Sequence, residues 1–313
     1  MPFNSTVLIA LGGNALILPG EKGYIEQQFS HTNACMRPIA ALISRGVRMV
    51  ITHGNGPIVG NILLRNECAK GYIPPMPLYI CVADSQGGIG AMMAESLQSE
   101  LKRLGMNRAV AAIITHVLVD GNDPAFREPT KPIGPHYSDD EARKHVEQGW
   151  VMRKIPGRGW RRLVPSPRPG RIIELEAIKI SFENGIVPIA SGGGGVPVVE
   201  EDGRIKGTDA VIDKDLSASL LARELCLDKF IVLTDVDGVY LNWEGEHKQR
   251  LENLSMKDAK RHLLEGQFPR GSMGPKIEAA IQFLESGGKE VIIARPEEMV
   301  EAMEGKAGTR ITA

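Results

Sequence analysis

An excess of charge of either sign is missing from this chain of 313 residues: Lys plus Arg (37) nearly cancel Asp plus Glu (38), and no long block of one sign occurs. That excludes a general nucleic-acid binder or a polybasic membrane patch and leaves a small molecule as the expected partner. Cysteine is scarce. Cys35, Cys68, Cys81 and Cys226 are scattered with no CxxC pair, so neither a zinc site nor a disulfide framework is indicated, and a reducing cytoplasm fits. Residues 1 to 20 carry no charge, yet Asn4, Ser5, Thr6, Gly12, Gly13, Asn14 and Pro19 interrupt the apolar run and no Lys or Arg precedes it. A signal peptide or a membrane segment is therefore not expected there. With 42% hydrophobic and 24% charged residues, the chain has material for one large α/β domain or two small ones.

Six short apolar runs recur: TVLIAL (6–11), VRMVIT (47–52), AVAAIIT (109–115), IVPIA (186–190), KFIVLT (229–234) and KEVIIA (289–294). Each is continuous rather than alternating, the pattern of parallel strands covered on both faces. Between them, 39–46, 92–105, 216–227 and 275–288 space apolar residues three and four apart, as crossover helices do. The expectation is a doubly wound, three-layer α/β/α sandwich with a mainly parallel central sheet. Ligands of such folds collect beyond the carboxyl ends of the strands. Five runs lead there into conspicuous chemistry: LGGNA, HGNGP, HVLVDG, SGGGG and DVDGVY. The sixth leads to ARPEE, an ordinary Pro-started helix entrance. Residues 119–170 break the alternation with eight prolines, two tryptophans and clustered Arg and Lys. So many prolines exclude a central strand or long helix, although 138–149 can form one short helix starting at Ser138. An inserted subdomain that acts as a lid is expected, with a passive surface insertion as the alternative.

Gly12-Gly13-Asn14, Gly54-Asn55-Gly56 and the run Gly192 to Gly195 sit where strands give way to the next element. Such turns let backbone N–H groups approach an anion closely. Any one could be a tight connection, but three on one sheet edge are harder to explain that way. No GxxxxGK[ST] occurs, which argues against a P-loop kinase, and no GxSxG, which argues against a serine hydrolase. GNGPIVG (54–60) has a looser GxGxxxG spacing that keeps a dinucleotide-binding oxidoreductase as a rival, although that would leave LGGN and SGGGG unexplained.

Lys214 and Lys276 each stand at a helix entrance, and Lys131 lies inside the Pro-rich insertion. A helix N-terminus is already positive, so a Lys there is unfavourable unless an anion is bound. Three lysines converging with Gly-rich turns describe a site for a transferring phosphoryl group, where catalysis is mostly positioning and charge neutralisation. Asp215 is the choice for holding the lysines, whereas Asp213 and Asp235 could equally cap helices. Mg²⁺ would be held largely by nucleotide phosphates and water, so no carboxylate cluster or protein metal site is needed. His53 and His116 both end strands, but an ionised acceptor needs no general base. Met92 and Met93 read as core filler.

Together IALGGNA (9–15), ITHGNGP (51–57), MPLYICVADSQGGIG (76–90), PTKPIGPHY (129–137), SGGGGVPVVE (191–200), AVIDKDLSASLLA (210–222), LTDVDGVY (233–240) and GSMGPKIEAAIQF (271–283) resemble the carbamate kinases of the amino-acid-kinase superfamily, over nearly the whole chain. One departure is Ile58, where that family usually carries Gln. The resemblance implies one amino-acid-kinase domain over 1–313 and reversible transfer between ATP and carbamate, giving ADP and carbamoyl phosphate with Mg²⁺. It also implies a lobe for the carbamoyl group over 1–208, enclosing the lid at 119–170, and a nucleotide lobe over 209–313. Carried over by motif, Gly12, Gly13, Asn14, Gly54, Asn55 and Gly56 would cradle phosphate and carbamate, with Gly192, Gly193 and Gly194 lining the junction. Lys131 would reach in from the lid, Lys214 and Lys276 would stabilise the phosphoryl oxygens, and Asp215 would orient them. Asp235, Val236, Asp237, Tyr240 and Met273, with Lys214 and Lys276, would border the nucleotide. A homodimer through the N-terminal lobe is implied as well. The rivals are a sister kinase with another small acceptor, the oxidoreductase, and a ligand sensor without catalysis.

Overall fold

A computed structural model describes residues 5–13, 16–18, 20–243, 245, 247–269 and 271–313. The chain opens on β1 (Thr6–Leu11), α1 (Ile25–Ser44), β2 (Arg48–His53), α2 (Gly56–Ala69) and α3 (Leu78–Arg103), then β3 (Val110–Ile113) and β4 (His116–Val119). The insertion holds β5 (Lys131–Tyr137), α4 (Asp139–Glu147), β6 (Val151–Ile155) and β7 (Gly159–Val164), and leads into β8 (Pro169–Ile172). Next come α5 (Leu175–Glu183), β9 (Val187–Ala190), β10 (Val196–Glu201), β11 (Arg204–Gly207), α6 (Lys214–Glu224) and β12 (Lys229–Leu233). The chain finishes with β13 (Val239–Leu241), β14 (Gln249–Leu251), β15 (Asn253–Ser255), α7 (Met256–Leu264), α8 (Met273–Glu285), β16 (Glu290–Ala294), α9 (Met299–Met303) and β17 (Thr309–Thr312).

The six apolar runs form neighbouring strands of an eight-stranded sheet ordered β15-β17-β16-β12-β1-β2-β9-β3. Every pairing among those six is parallel; β17 joins antiparallel to β16. β1 shows why the runs are continuous. Val7, Ile9 and Leu11 pack with α1, α3 and α9, while Leu8 and Ala10 pack with α5, α6 and α8, so both strand faces are buried. This is a three-layer arrangement in which alternate side chains serve opposite cores. Ile58 packs against the α1–α3 side, and Met92 and Met93 fill that core.

The third run departs from the expectation. β3 ends at Ile113, and HVLV forms β4 in a second sheet ordered β11-β10-β4-β8, not a loop at the ligand edge. His116 opens β4, where its N–H and Nδ1 meet the Glu174 carboxylate at 2.6 and 2.8 Å, so it does not end a strand. The Pro-rich insertion folds as an antiparallel sheet ordered β5-β7-β6 beside α4. Pro132 and Pro135 lie on β5, an edge strand, where a missing N–H costs no interior ladder bond. Ser138 caps α4 with a capping box to Glu141, as the sequence suggests. Among the described residues no helix is long and apolar enough to cross a membrane, and all four cysteines are free.

Candidate active site

The chain passes from β1 to β2 on one side and places β12 on the other, so the sheet order reverses at β1. That switch point opens a crevice at the carboxyl ends of the strands. A cavity of about 840 Å³ occupies it, with Gly12 and Gly13 following β1, and Thr234, Asp235 and Val236 following β12. Arg295 and Pro296 follow β16, while Tyr240, Trp243, Phe268 and Met273 form a wall on the C-terminal side. Lys214 and Lys276 also line it.

Asp215 organises the two lysines. It is 3% exposed, its Oδ2 accepts from Lys276 Nζ at 2.9 Å, and its Oδ1 stands 2.8 Å from Lys214 Nζ. Burial alone would push this carboxyl up, but the two ammonium groups overcome it and hold the pKa below the usual carboxylate range. At Lys214 burial prevails over the attraction of Asp215 and lowers the pKa. At Lys276 the pull of Asp215 outweighs burial and raises it. The neighbouring charges differ: Lys276 is also drawn by Asp235, whereas Lys214 is opposed by the Lys276 charge. Lys214 pairs with Asp215 Oδ1 at 2.8 Å, but that contact is not aligned as a hydrogen bond, so its Nζ keeps donors to spare among the described residues. A buried ammonium with unused donors is a site for an anionic oxygen.

The helix entrance supports this geometry. Asp213 caps α6 by accepting from Asp215 N–H at 2.9 Å and Leu216 N–H at 3.3 Å through Oδ1. Its Oδ2 accepts from Lys131 Nζ at 2.6 Å, so the insertion and the α6 N-terminus meet through one carboxylate. The three lysines therefore surround two adjacent aspartates.

The glycine turns fit tightly against one another. A Cβ on Gly54 would lie 2.6 Å from Gly13 N, and one on Gly193 would lie 2.1 Å from Asn55 Nδ2. Only glycine permits this approach. Asn55 in turn donates to Ser85 Oγ at 2.9 Å. His53 is buried with Nδ1 3.1 Å from the Gly54 carbonyl, and burial, assisted by Lys214, lowers its pKa to about 4 despite that bond. It is neutral at pH 7 and holds the turn.

A sequence model of the amino acid kinase family matches residues 5–295. A carbamate kinase of Pyrococcus furiosus is 49% identical over 308 residues, spanning 97% of this chain and 98% of that protein. The chain belongs to the amino acid kinase family, on its carbamate kinase branch. The structure of a carbamate kinase from Giardia lamblia bound to citric acid superposes with a TM-score of 0.94 at 41% identity, covering 100% of this chain and 99% of that one. The same protein bound to AMP-PNP gives 0.92 at 41%, with coverage of 100% and 99%.

In this amino acid kinase the cavity takes in Gly12, Gly13, Lys214, Asp235, Val236, Tyr240, Met273 and Lys276 of the residues singled out from sequence. Gly54, Asn55, Gly56 and Gly192 to Gly194 do not line it: Gly54, Asn55, Gly192 and Gly193 belong to the interlocked turns, Gly194 lies against the Ile212 carbonyl, and Asn14 lies outside the described residues. Asp237 does not line the cavity: it accepts from Tyr240 Oη at 2.8 Å and pairs with Arg250 at 3.1 Å. Asp235 caps no helix, its Oδ1 accepting instead from Thr234 Oγ1 at 3.1 Å. The GNGPIVG spacing also has a packing explanation, because a Cβ on Gly60 would meet Gly134 Cα of the insertion at 2.1 Å.

Sequence reasoning passed over Ser191, Arg158, Trp243 and Arg295. Ser191 is fully buried with φ 55°, a left-handed conformation that a serine adopts only when its surroundings impose it. Thr52 Oγ1 donates to its carbonyl at 2.9 Å, its own N–H donates to Thr115 Oγ1 at 2.9 Å, and its Oγ lies 2.7 Å from Ser217 Oγ. The only sequence signal was its place immediately before the four glycines.

Proposed function

We propose that this chain transfers a phosphoryl group reversibly between ATP and carbamate, forming ADP and carbamoyl phosphate. The observation that carries the reading is the Lys214–Asp215–Lys276 cluster, buried beside Gly12 and Gly13 at the sheet's switch point. It agrees with the carbamate kinases to which the chain is similar, one of them seen with AMP-PNP.

Carbamate is a planar anion whose oxygen is already nucleophilic, so the obstacle is repulsion between two anions. Two unit charges 4 Å apart repel by about 4 kcal/mol at an effective dielectric near 20. Lys214 and Lys276 neutralise charge on the phosphoryl oxygens, and Asp215 holds both ammoniums in place. Lys131 approaches from the insertion, which serves as a lid. Gly12, Gly13, Asn14, Gly54, Asn55 and Gly56 cradle phosphate and carbamate with backbone and amide donors, and Gly192 to Gly194 line the junction. Residues 1–208 form the carbamoyl lobe and 209–313 the nucleotide lobe, with Asp235, Val236, Tyr240 and Met273 beside the nucleotide and Asp237 acting through Tyr240. No general base is required, consistent with a neutral His53 held by its own turn.

No group of three or more potential metal ligands exists among the described residues, and Asp213 and Asp215 are engaged by lysines. This donor set fits Mg²⁺ that arrives on the nucleotide and keeps its waters, not a protein-caged ion. Bound in that way, Mg²⁺ supplies further neutralisation of the phosphate charge. A cytoplasmic homodimer completes the reading, supported by the free cysteines and by β3 as a sheet edge with Ile114 exposed beside it.

The deciding experiment is a coupled assay for ATP formation from carbamoyl phosphate and ADP, run beside acetyl phosphate and UMP controls. ATP from carbamoyl phosphate alone supports the reading; equal use of acetyl phosphate overturns the acceptor assignment.

A further inference from the structure

We propose that Arg158, at the tip of the β6–β7 hairpin, is a contact for the phosphate groups of a nucleoside di- or triphosphate; this rests on the kinase reading above. Arg158 belongs to the inserted subdomain, yet it lines the same cavity as Lys214, Lys276 and Met273. The subdomain therefore reaches the cavity at a point separate from Lys131, which contacts Asp213.

The backbone is built to present this side chain. Pro156 and Gly157 (φ 70°) form a tight turn closed by Arg158 N–H donating to the Ile155 carbonyl at 3.0 Å. Gly159 (φ 96°) follows, so close to β5 that a Cβ there would lie 2.7 Å from the Tyr137 carbonyl. Arg158 is held between two left-handed glycines, one of them pinned to the neighbouring strand.

Its neighbours have work within the subdomain. Lys154 pairs with Asp139 at 2.8 Å, Arg161 Nε donates to the Ile133 carbonyl at 3.2 Å, and Arg162 lies 4.1 Å over the Trp150 ring. Arg158, an exposed residue, has no side-chain hydrogen bond or ion pair among the described residues, and it lines a cavity whose charged lining is Arg158, Lys214, Lys276 and Arg295 against Asp235 and Glu297. An excess of cations around an open cleft calls for a polyanion, and a planar guanidinium takes two phosphate oxygens at once. The aromatic wall of Tyr240 and Trp243 suits a base, which leaves the polyphosphate for the cationic side.

The test compares wild type with Arg158→Ala by calorimetric titration of adenosine, ADP and AMP-PNP, together with KM for ADP and for carbamoyl phosphate. A charge-assisted phosphate contact predicts ADP and AMP-PNP affinity weakened by about tenfold or more, with adenosine affinity and KM for carbamoyl phosphate unchanged. ADP affinity equal to wild type overturns the proposal, as does an equal loss for adenosine and ADP. A wild-type protein that neither binds ADP nor makes ATP overturns the kinase reading instead. Because Arg158 makes no side-chain hydrogen bond or ion pair among the described residues, its replacement should leave the melting temperature intact; Arg158→Gln, which keeps the stem, provides the same comparison should alanine lower it.

Discussion

Lys131 Nζ lies 2.6 Å from Asp213 Oδ2, joining the inserted subdomain to the cap of the helix that begins at Lys214. Lys131 is partly solvent-exposed, with 31% of its side chain accessible, so this ion pair adds little to folding. Its value is positional. Lys131→Ala should therefore lower the rate of ATP formation while the melting transition stays cooperative and within a few degrees of wild type. A variant that loses its transition would make the insertion a structural element and remove Lys131 from the chemistry.

Lys214 and Lys276 face the cavity and share one carboxylate. Replacing either with alanine should cut turnover by at least about 100-fold, the scale of losing one charge-stabilising donor in a preorganised site. Single-turnover measurements with saturating ADP and carbamoyl phosphate separate this from weakened binding. A rate equal to wild type would take that lysine out of the mechanism.

Much of this arrangement was legible in the sequence because continuous apolar runs have one physical reading in an α/β chain. β1, β2, β9, β12 and β16 end where the runs end, within a residue or so; the motifs read as chemistry follow the first four, whereas ARPEE after β16, read as an ordinary helix entrance, also lines the cavity through Arg295 and Pro296. HVLVDG misled because periodicity reports burial, not sheet membership: Val117 and Val119 are buried in either case. The joining of Lys131 to Asp213, 82 positions apart, follows from tertiary folding that no local pattern encodes. Arg158 escaped notice because an Arg in a Pro-Gly turn reads as an exposed loop residue, and only the fold brings that turn over the cavity.

Asp215→Asn should destabilise the protein, because it leaves two buried ammonium groups facing a neutral amide. Breaking a buried ion pair in this way costs about 3 to 5 kcal/mol, readable by denaturant titration. The carboxyl of Asp215 is held below its unfolded value, so its contribution is fully present above the ordinary aspartate pKa and is lost only as pH falls towards the lower folded value. The deficit of the variant should thus be constant from pH 6 to 8. A deficit that vanishes at pH 6 would mean that the carboxylate is not protected by its lysines.

His53 sets a different pH window. Its pKa falls from 6.5 to about 4 in the folded state, chiefly through burial, so the unfolded chain binds a proton that the folded chain refuses. Stability is then full above pH 6.5 and declines as pH drops towards 4, by about 3 kcal/mol for a shift of this size. His53→Asn, which retains a donor for the Gly54 carbonyl, should show a shallower decline between pH 7 and 4.5 in urea unfolding. Parallel curves for the two proteins would assign the acid sensitivity elsewhere.

Gly193→Ala tests whether the interlocked turns shape the site. At φ 65° the new methyl is conformationally strained, and it would fall 2.1 Å from Asn55 Nδ2. Asn55 would have to leave Ser85 Oγ, with which it is bonded at 2.9 Å and buried. The expected cost is about 1 to 3 kcal/mol in stability, with a loss of turnover larger than any change in KM for ADP if the displaced amide serves the carbamate side as proposed. Gly192→Ala provides the contrast: its methyl would strike the His53 ring at 2.3 Å, so it should additionally disturb the acid limb of the stability profile. If Gly193→Ala retained both wild-type stability and wild-type turnover, Asn55 would be free to move, and the close fit of these turns would be irrelevant to catalysis.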